Sequence, residues 1–473
     1  MTERRRRVTL LVGLAVPAVG TLIADPLMGL VDTAVVGRIG AAELGGMGLA
    51  VAALSTVAWV FNFLVYGTTS AVARSLGSGD TDGALRRVRT SVRAALLLGV
   101  TVGGLLWVVA PWLLGALGAV EALIGPATDY LRVRALGVPL LMLTYVGHGA
   151  FRGASDTRTP LGIAVGSNVL NAALTLALVG PFGIVGVAAA TVAAELAAVL
   201  AFVVLLPRAG VPRTGLVRTR AGGSASGAQV ALVDDLAEVR TLLRVGRDLF
   251  LRTGGLTLGL LAVSAAAARM GVVISAAHQV LYQIMMLGSF TLDGLAVAGQ
   301  ATVGTALGRG DRDEARALGR TTAWLGAAGG ALTAALLLVA SGVVPRLLTD
   351  DAVVLDTVAT AWWLLAVGHL ITGVVFALDG VMMGAEDYRY LRDTTILAAL
   401  VGGSAAQLVA TTGGTLLGLW LCVQMLMFVR FVALIVRLRG TRWLDGGAGT
   451  DAATTGASGA QPRRRGRLDA GER

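Results

Sequence analysis

Long runs of apolar residues, separated by short polar connections, recur along the whole chain. Most runs hold roughly 20 residues, the length that an α-helix needs to cross a ~30 Å hydrocarbon core. The pattern predicts an all-α polytopic membrane protein with twelve transmembrane helices. The predicted spans are 10–36, 47–70, 94–114, 130–150, 160–180, 184–206, 248–268, 278–304, 321–344, 357–380, 394–411 and 414–436.

The basic residues are expected to lie in the connections, and they cluster in every second one. Clusters occur near Arg4 and Arg86, whereas the intervening connections hold only Arg38, Arg269 and Arg346. Cytoplasmic connections are enriched in basic residues, so the pattern predicts an even number of spans with both termini in the cytoplasm. We expect a multi-pass protein of the plasma membrane of a bacterium.

Two segments interrupt the apolar pattern. Residues 207–240 are rich in Gly, Ser, Pro and charge, which is typical of a linker. Residues 441–473 are polar and Gly-rich without periodicity, which favours disorder. The predicted organisation is an N-terminal six-helix lobe (1–206), a cytoplasmic inter-lobe linker (207–247), a C-terminal six-helix lobe (248–440) and a disordered cytoplasmic tail (441–473).

An internal repeat supports two related lobes. Three motifs recur 231 positions later without a gap: GRIG as ARMG, LGSGD as LGRGD, and GASDTR as GAEDYR. Repeats at a fixed offset indicate duplicated structural units. Because each half holds six spans, both halves insert in the same orientation. The lobes are therefore predicted to be related by a pseudo-two-fold axis along the membrane normal.

Composition limits the function further. The chain is 55% hydrophobic and 14% charged, with a mean hydropathy of +0.76, outside the range of soluble proteins. The formal charge of +10 fits connections on the cytoplasmic side better than a nucleic-acid surface. Cys422 is the single cysteine, which excludes an internal disulfide and a CxxC site. No phosphate-binding loop GxxxxGK[ST] occurs, so transport would draw on an ion gradient.

The first span combines carboxylates and prolines in an apolar segment. Asp25 and Asp32 lie seven residues apart, two helical turns, so both face one side about 10 Å apart. Pro26 removes the hydrogen bond to the carbonyl of Leu22 and is expected to bend the helix. Such a buried acid is a candidate ion site. The alternative is that both acids simply pair with Arg or hydroxyl groups inside a helix bundle.

Other polar residues within the spans are candidates for ion coupling or substrate contact. Asn168, Asn171 and Thr175 follow one helical face and are expected to accompany the first-span acids. The remaining candidates are predicted to line a substrate cavity between the lobes: Asn62, Tyr66, Glu195, Gln279, Gln283, Asp293, Gln300 and Asp379.

Five motifs in order resemble the multidrug and toxic compound extrusion (MATE) transporters, and specifically their DinF-like branch. They are the first-span segment PLMGLVDTAVVGRIG, then AVARSLGSGD, FRGASDTRTP, SAAHQVLYQI and LDGVMMGAEDYRYLR. The resemblance covers nearly all of the membrane region. It implies a two-lobed secondary antiporter that exports small organic, often cationic, compounds by alternating access in exchange for H⁺ or Na⁺.

The resemblance also assigns roles to residues. Asp32 matches the first-helix acid whose protonation or Na⁺ binding is linked to substrate release, and Pro17 matches the proline where that helix bends. Asn171 matches a polar partner in the fifth helix. Thr175 falls where many relatives carry a second aspartate, and Asp25 is the candidate for the missing charge. No cofactor beyond the coupling ion is expected, nor a nucleic acid; the partners are the bilayer and the substrate, and the chain is expected to be a monomer.

Two alternatives remain. A lipid-linked oligosaccharide flippase of the same superfamily would have a wide cationic central cavity, whereas the charge expected here is mostly acidic. A membrane-embedded enzyme is the alternative from another class. The sequence lacks a cluster of His or Cys residues that could bind a metal, and it lacks a nucleophile with an identifiable base. The chain is therefore expected not to be an enzyme.

Overall fold

The computed structural model describes residues 2–116, 121–211 and 225–445, with the side chains at 25–27, 30, 41, 56–60, 122 and 225–243 left out. These residues form α-helices joined by short turns, and the described part contains no strand. The helices are α1 Glu3–Val36, α2 Ala41–Phe61, α3 Phe63–Gly77, α4 Thr81–Ala116, α5 Glu121–Gly153, α6 Arg158–Leu205, α7 Ala225–Arg269, α8 Val272–Gly308, α9 Arg312–Val339, α10 Ala352–Gly384, α11 Tyr388–Thr411 and α12 Leu416–Arg439.

Three predicted boundaries differ from the helices. The second span divides at Asn62 into α2 and α3. The fifth and sixth spans are joined as α6, which turns at Gly183 with φ 57° and ψ −136°, a conformation that glycine adopts without steric cost. Helix α7 begins at Ala225, inside the predicted linker. The predicted tail lies outside the described residues beyond Asp445.

Nine helices of the described part are long and apolar enough to cross a membrane. The 48 residues of α6 amount to roughly 72 Å of helix over its two legs, enough for two crossings. Many large apolar side chains are exposed, among them Trp112, Trp324 and Val339. An exposed apolar surface of this extent indicates contact with lipid. The all-helical membrane fold is thus confirmed, whereas the count of twelve spans stays a prediction.

The helices pack as two lobes. In the first half, α5 packs against α2, α3, α4 and α6, and α1 packs against α6. In the second half, α10 packs against α8, α9 and α12, while α11 packs against α7 and α12. The lobes meet mainly where α8 contacts α1 and α3. The predicted two-lobed architecture is confirmed.

The backbone repeats its special conformations between the lobes. Gly79 and Gly310 both have positive φ after a helix end, and so do the non-glycine residues Ser155 and Glu386. Both pairs are 231 positions apart. Asp80 then accepts the N–H of Gly83 at 2.7 Å, and Asp311 accepts the N–H of Glu314 at 2.9 Å. The duplicated turns therefore end and begin helices at equivalent places.

Candidate functional site: two buried carboxylates

Asp32 lies inside the N-terminal lobe between α1 and α6, with 5% of its surface exposed. Two hydroxyl groups of α6 point at its carboxylate. Thr175 Oγ1 lies 3.4 Å from Oδ1, and Thr191 Oγ1 lies 3.5 Å from Oδ2. Both distances exceed the usual 2.5–3.0 Å of an O–H···O bond, so Asp32 is held weakly by neutral donors.

The hydroxyl of Thr191 serves more than one acceptor. It lies 3.1 Å from the carbonyl of Val187, a shorter contact than the one to Asp32, and a hydroxyl has one proton to donate. Asn171 Nδ2 donates to the same Thr191 oxygen at 3.1 Å. Asn171 Oδ1 is buried and accepts no hydrogen bond from the described residues. Several oxygen atoms that can accept or coordinate therefore surround Asp32.

An arginine in α5, which the sequence pattern did not indicate, lies beside Asp32. Arg134 Nη1 donates to Glu195 Oε1 at 3.0 Å, and both side chains are 13% exposed. Arg134 also lies close enough to act electrostatically on Asp32, together with Tyr130. The N-terminal cluster thus contains two carboxylates and one guanidinium group among the described residues. Glu195 belongs to this cluster, and its predicted contact with substrate stays a prediction.

The remaining first-helix candidates are only partly described. Asn168 Nδ2 donates to the carbonyl of Ala24 at 2.7 Å, beside the predicted bend. The side chains of Asp25 and Pro26 lie outside the described residues, so their predicted roles stay predictions. The carbonyl oxygen of Pro17 accepts a hydrogen bond from the hydroxyl of Thr21 at 3.1 Å. Helix α1 continues through this position, from Glu3 to Val36.

Asp379 occupies the C-terminal lobe and has charged partners. Arg252 Nη2 donates to its Oδ2 at 2.6 Å, and Arg430 Nη2 donates to the same oxygen. Asp379 and Arg430 are buried, with Arg430 only 1% exposed, and the side chain of Arg252 is 11% exposed. The helices α7, α10 and α12 are thereby tied together by one carboxylate.

Asp293 lies beside this group, at the contact between the lobes. Arg252, Arg430 and Arg152 act on it electrostatically, as does Asp379. Tyr66 of α3 belongs to the same cluster and hydrogen bonds with Asn62 at the break between α2 and α3. Among the described residues, the C-terminal cluster thus contains two guanidinium groups and two carboxylates of the C-terminal lobe, and Arg152 of α5 adds a third guanidinium group from the N-terminal lobe.

The expectation that arginines lie only in the connections is therefore wrong. Arg134, Arg252 and Arg430 lie within the fourth, seventh and twelfth predicted spans and are buried or nearly so. A single Arg in an apolar run such as LMFVRFVAL was the available signal, because a charge inside a membrane helix requires a buried partner.

The three glutamines predicted to line the substrate cavity lie in two different environments. Gln279 and Gln283 are exposed on the first half of α8, one turn apart. Gln300 is buried, and its amide donates to the carbonyl of Tyr66 and to Ser70 Oγ, both at 2.8 Å. Gln300 therefore joins α8 to α3 across the lobe contact, and its predicted role in lining a substrate cavity stays a prediction.

The lobes are closed on the side of the arginine-rich connections. Arg7 Nη2 donates to Glu314 Oε2 at 2.6 Å, and Arg74 Nη2 donates to the carbonyl of Ala385 at 2.7 Å. At the same level, a Cβ placed on Gly77 would overlap the carbonyl oxygen of Thr305. One placed on Gly308 would overlap that of Arg74. Glycine is thus required at two positions that the repeat relates.

Comparison with known proteins agrees with this architecture. The family model described as MatE matches residues 17–176 and 255–405. Protein DETOXIFICATION 44, chloroplastic, of Arabidopsis thaliana is 31% identical over 91% of this chain and 82% of its own length. DNA damage-inducible protein F of Escherichia coli (strain K12) is 29% identical over 92% of each chain.

Solved structures show the same fold. One described as "Crystal structure of MATE in the bent conformation" superposes with a TM-score of 0.81 at 21% identity, over 96% of this chain and all of the other. An outward-facing MATE transporter superposes with a TM-score of 0.79 at 23% identity, over 92% and 96%. The chain therefore belongs to the MatE family and is a transporter of the multidrug and toxic compound extrusion type.

Proposed function

We propose that the protein is a secondary antiporter that exports organic, often cationic, compounds in exchange for H⁺ or Na⁺, with Asp32 as the principal coupling residue. The observation that carries the proposal is the weak solvation of a buried carboxylate. Asp32 has two long contacts to neutral hydroxyls, and its charged neighbour Arg134 is already bound by Glu195. A buried charge with so few partners favours binding of a cation or a proton.

The oxygen atoms around Asp32 suit either ion. Carboxylate, hydroxyl and amide oxygens are the ligands that hard cations prefer, and Asn171 Oδ1 has no described donor. Protonation of Asp32 would instead give its carboxyl group an O–H that can donate. Asn171 Oδ1 or Thr191 Oγ1 could accept this hydrogen bond. Either event changes the hydrogen bonding between α1 and α6.

Coupling follows from competition for one conformation. Because α1 packs against both α6 and α8, a change at Asp32 reaches the contact between the lobes. Substrate and ion would each stabilise a different arrangement of α1, and the lobes would alternate around the cleft. The substrates are then proposed to enter between the lobes, near Tyr66, Asp293 and the exposed Gln279 and Gln283.

Transport in proteoliposomes tests the proposal. Efflux of ethidium, a fluorescent cationic dye, is measured under a pH gradient or a Na⁺ gradient imposed separately. We expect one gradient to drive efflux in the wild-type protein, and Asp32→Asn to reduce it to background while expression and insertion persist. Asp156→Asn is a matched carboxylate control, because Asp156 caps the start of α6. Gradient-driven efflux by Asp32→Asn at the wild-type rate would refute the assignment.

A flippase for lipid-linked oligosaccharides is the second candidate. The observation that favours it is the excess of guanidinium groups around Asp293 and Asp379, which suits a phosphate-bearing substrate. Dye efflux that depends on neither gradient, combined with translocation of a fluorescent polyprenyl-phosphate glycan, would favour this function.

Orientation and assembly are part of the proposal. Both termini are proposed to face the cytoplasm of a bacterium, with the protein in the plasma membrane as a monomer. A reporter fused after Arg439 that is active only outside the cytoplasm would contradict the orientation. A mass that corresponds to two chains in a mild detergent would contradict the monomer.

A further inference from the structure

A groove of about 570 Å³ runs along the two legs of α6. Its size lies within the ~300–1,000 Å³ typical of ligand sites. The flanking side chains Val165, Val169, Leu200 and Val204 are exposed and apolar. The groove therefore opens to the hydrocarbon region of the bilayer and not to the cleft between the lobes.

Small residues form the walls of this groove. Gly162 and Gly166 of the first leg lie one turn apart, and a Cβ on either would meet no atom within 4 Å. Ala197 and Ala201 face them from the second leg at the same spacing. The space is thus empty of protein atoms at the positions where other helices would carry larger side chains.

Two guanidinium groups stand at one end. Arg158 begins α6, and Arg208 lies in the short 3₁₀ turn that follows its second leg. Both line the groove and both are exposed. Neither forms an ion pair with a carboxylate of the described residues. Asp156, the nearest acid along the chain, is engaged by the N–H groups of Arg158 and Thr159.

The length of the groove matches one leaflet. Its lining on the first leg runs from Arg158 to Leu170, roughly 18 Å of helix. Half of the hydrocarbon core measures about 15 Å. A molecule with an anionic head near the arginines and an apolar chain along the glycines would fit this arrangement of charge and space.

We propose that this groove binds one anionic phospholipid in the leaflet nearest Arg158 and Arg208. The phosphate contacts both guanidinium groups, and one acyl chain lies against Gly162, Gly166 and the facing alanines. Guanidinium groups bind phosphate in a bidentate manner, which distinguishes this lipid from the lipids that surround any membrane protein.

Native mass spectrometry of the delipidated protein in detergent tests the proposal. Dioleoyl phosphatidylglycerol and dioleoyl phosphatidylcholine are titrated separately. We expect one phosphatidylglycerol to bind with higher affinity than phosphatidylcholine. Arg158→Gln and Arg208→Gln should each weaken its binding about fivefold, the effect of one basic residue near a membrane anion. Gly166→Leu should remove tight binding of either lipid by filling the groove.

Two matched variants serve as controls. Gly104→Leu adds the same side chain at an exposed helix position where a Cβ also meets no atom within 4 Å. Arg87→Gln removes an exposed arginine elsewhere on the chain. Both should bind phosphatidylglycerol like the wild type.

Three outcomes would overturn the inference. They are equal affinity for the two lipids, phosphatidylglycerol binding that Gly166→Leu leaves unchanged, and a dimer that dissociates in Gly166→Leu, which would mean that a second copy occupies the groove. Unchanged phosphatidylglycerol affinity in both Arg158→Gln and Arg208→Gln would overturn it as well. These variants alter exposed side chains only, so this result decides the question even if Gly166→Leu does not fold.

Discussion

Asp32 and Asp379 are both buried carboxylates on membrane helices, and they differ in the charge of their partners. Asp32 faces two threonine hydroxyls at 3.4 and 3.5 Å. Asp379 receives N–H groups from Arg252 and Arg430 on a single oxygen. A carboxylate with fixed cationic partners has little need of a further cation, whereas one with weak neutral partners is open to an ion.

The surrounding groups extend the difference. Around Asp32, two carboxylates share the single guanidinium of Arg134 among the described residues. Around Asp293 and Asp379, three guanidinium groups face two carboxylates. The two sites therefore carry opposite balances of charge, although the helices and turns of the lobes repeat. One of the three guanidinium groups, that of Arg152, comes from α5 of the N-terminal lobe. Duplication of a fold leaves each half free to hold a different site.

The largest expected effect concerns the stability of the C-terminal cluster. Asp379→Asn would leave two buried guanidinium groups without their carboxylate, so we expect a loss of about 3–5 kcal/mol in the free energy of unfolding. Thermal unfolding in detergent measures it. Asp32→Asn is the control and should change stability far less, because it removes a charge with weak partners. An equal loss of unfolding free energy in both variants would mean that the partners of Asp379 and Asp32 do not differ in strength.

The double variant Asp379→Asn/Arg430→Met sharpens this result. It removes one guanidinium group together with the carboxylate, so Arg252 alone has lost the carboxylate that it bound. We expect it to unfold at a higher temperature than Asp379→Asn.

The second effect separates the lobes in transport. Asp32→Asn should reduce gradient-driven ethidium efflux to background, because it removes the charge that binds the coupling ion. Asp293→Asn should retain dependence on the gradient, because its neighbours already include three guanidinium groups. Initial efflux rates in proteoliposomes, with and without the gradient, give the comparison. The reverse pattern would place the coupling site in the C-terminal lobe.

A smaller effect is expected from Glu195→Gln. The substitution keeps the shape of the side chain but releases Arg134, whose guanidinium group is then free to pair with Asp32. We expect the apparent affinity for the coupling ion to fall about fivefold, at the lower end of coupling energies. Efflux rates across a series of ion concentrations measure this affinity. An unchanged affinity would mean that Arg134 does not compete with the ion.

The smallest effect belongs to the hydroxyl contacts. Thr175→Ala and Thr191→Ala each remove a long contact to Asp32, so each should cost less than about 1 kcal/mol in ion affinity. Thr191→Ala should be the larger of the two because Asn171 also uses that oxygen. Efflux rates across the same series of ion concentrations rank the two variants by their ion affinity. Loss of all coupling in either variant would show that neutral donors matter more than the charge of Asp32.

The sequence predicts one cluster better than the other. Asp32, Asn171 and Thr175 stand out because polar groups in apolar spans are few, and helical spacing places Asn171 and Thr175 on one face of their helix. Thr191 comes from the second leg of the same helix, and only the turn at Gly183 brings it back. Arg252 and Arg430 are 178 positions apart along the chain and meet at Asp379 through packing of three helices. Spacing along a chain does not encode such contacts.

Glycine pairs at the closed face have a mechanical consequence. At Gly77 and Gly308, the backbone of each lobe touches a carbonyl oxygen of the other, with no side chain between them. Flexible side chains could follow a moving partner, but rigid backbone cannot. A gap of about 0.5–1 Å already removes roughly a quarter to a half of the van der Waals attraction. Because the repeat relates the two contacts, a rocking motion breaks both together. The lobes should therefore separate at this face in one cooperative step, without a stable half-open state.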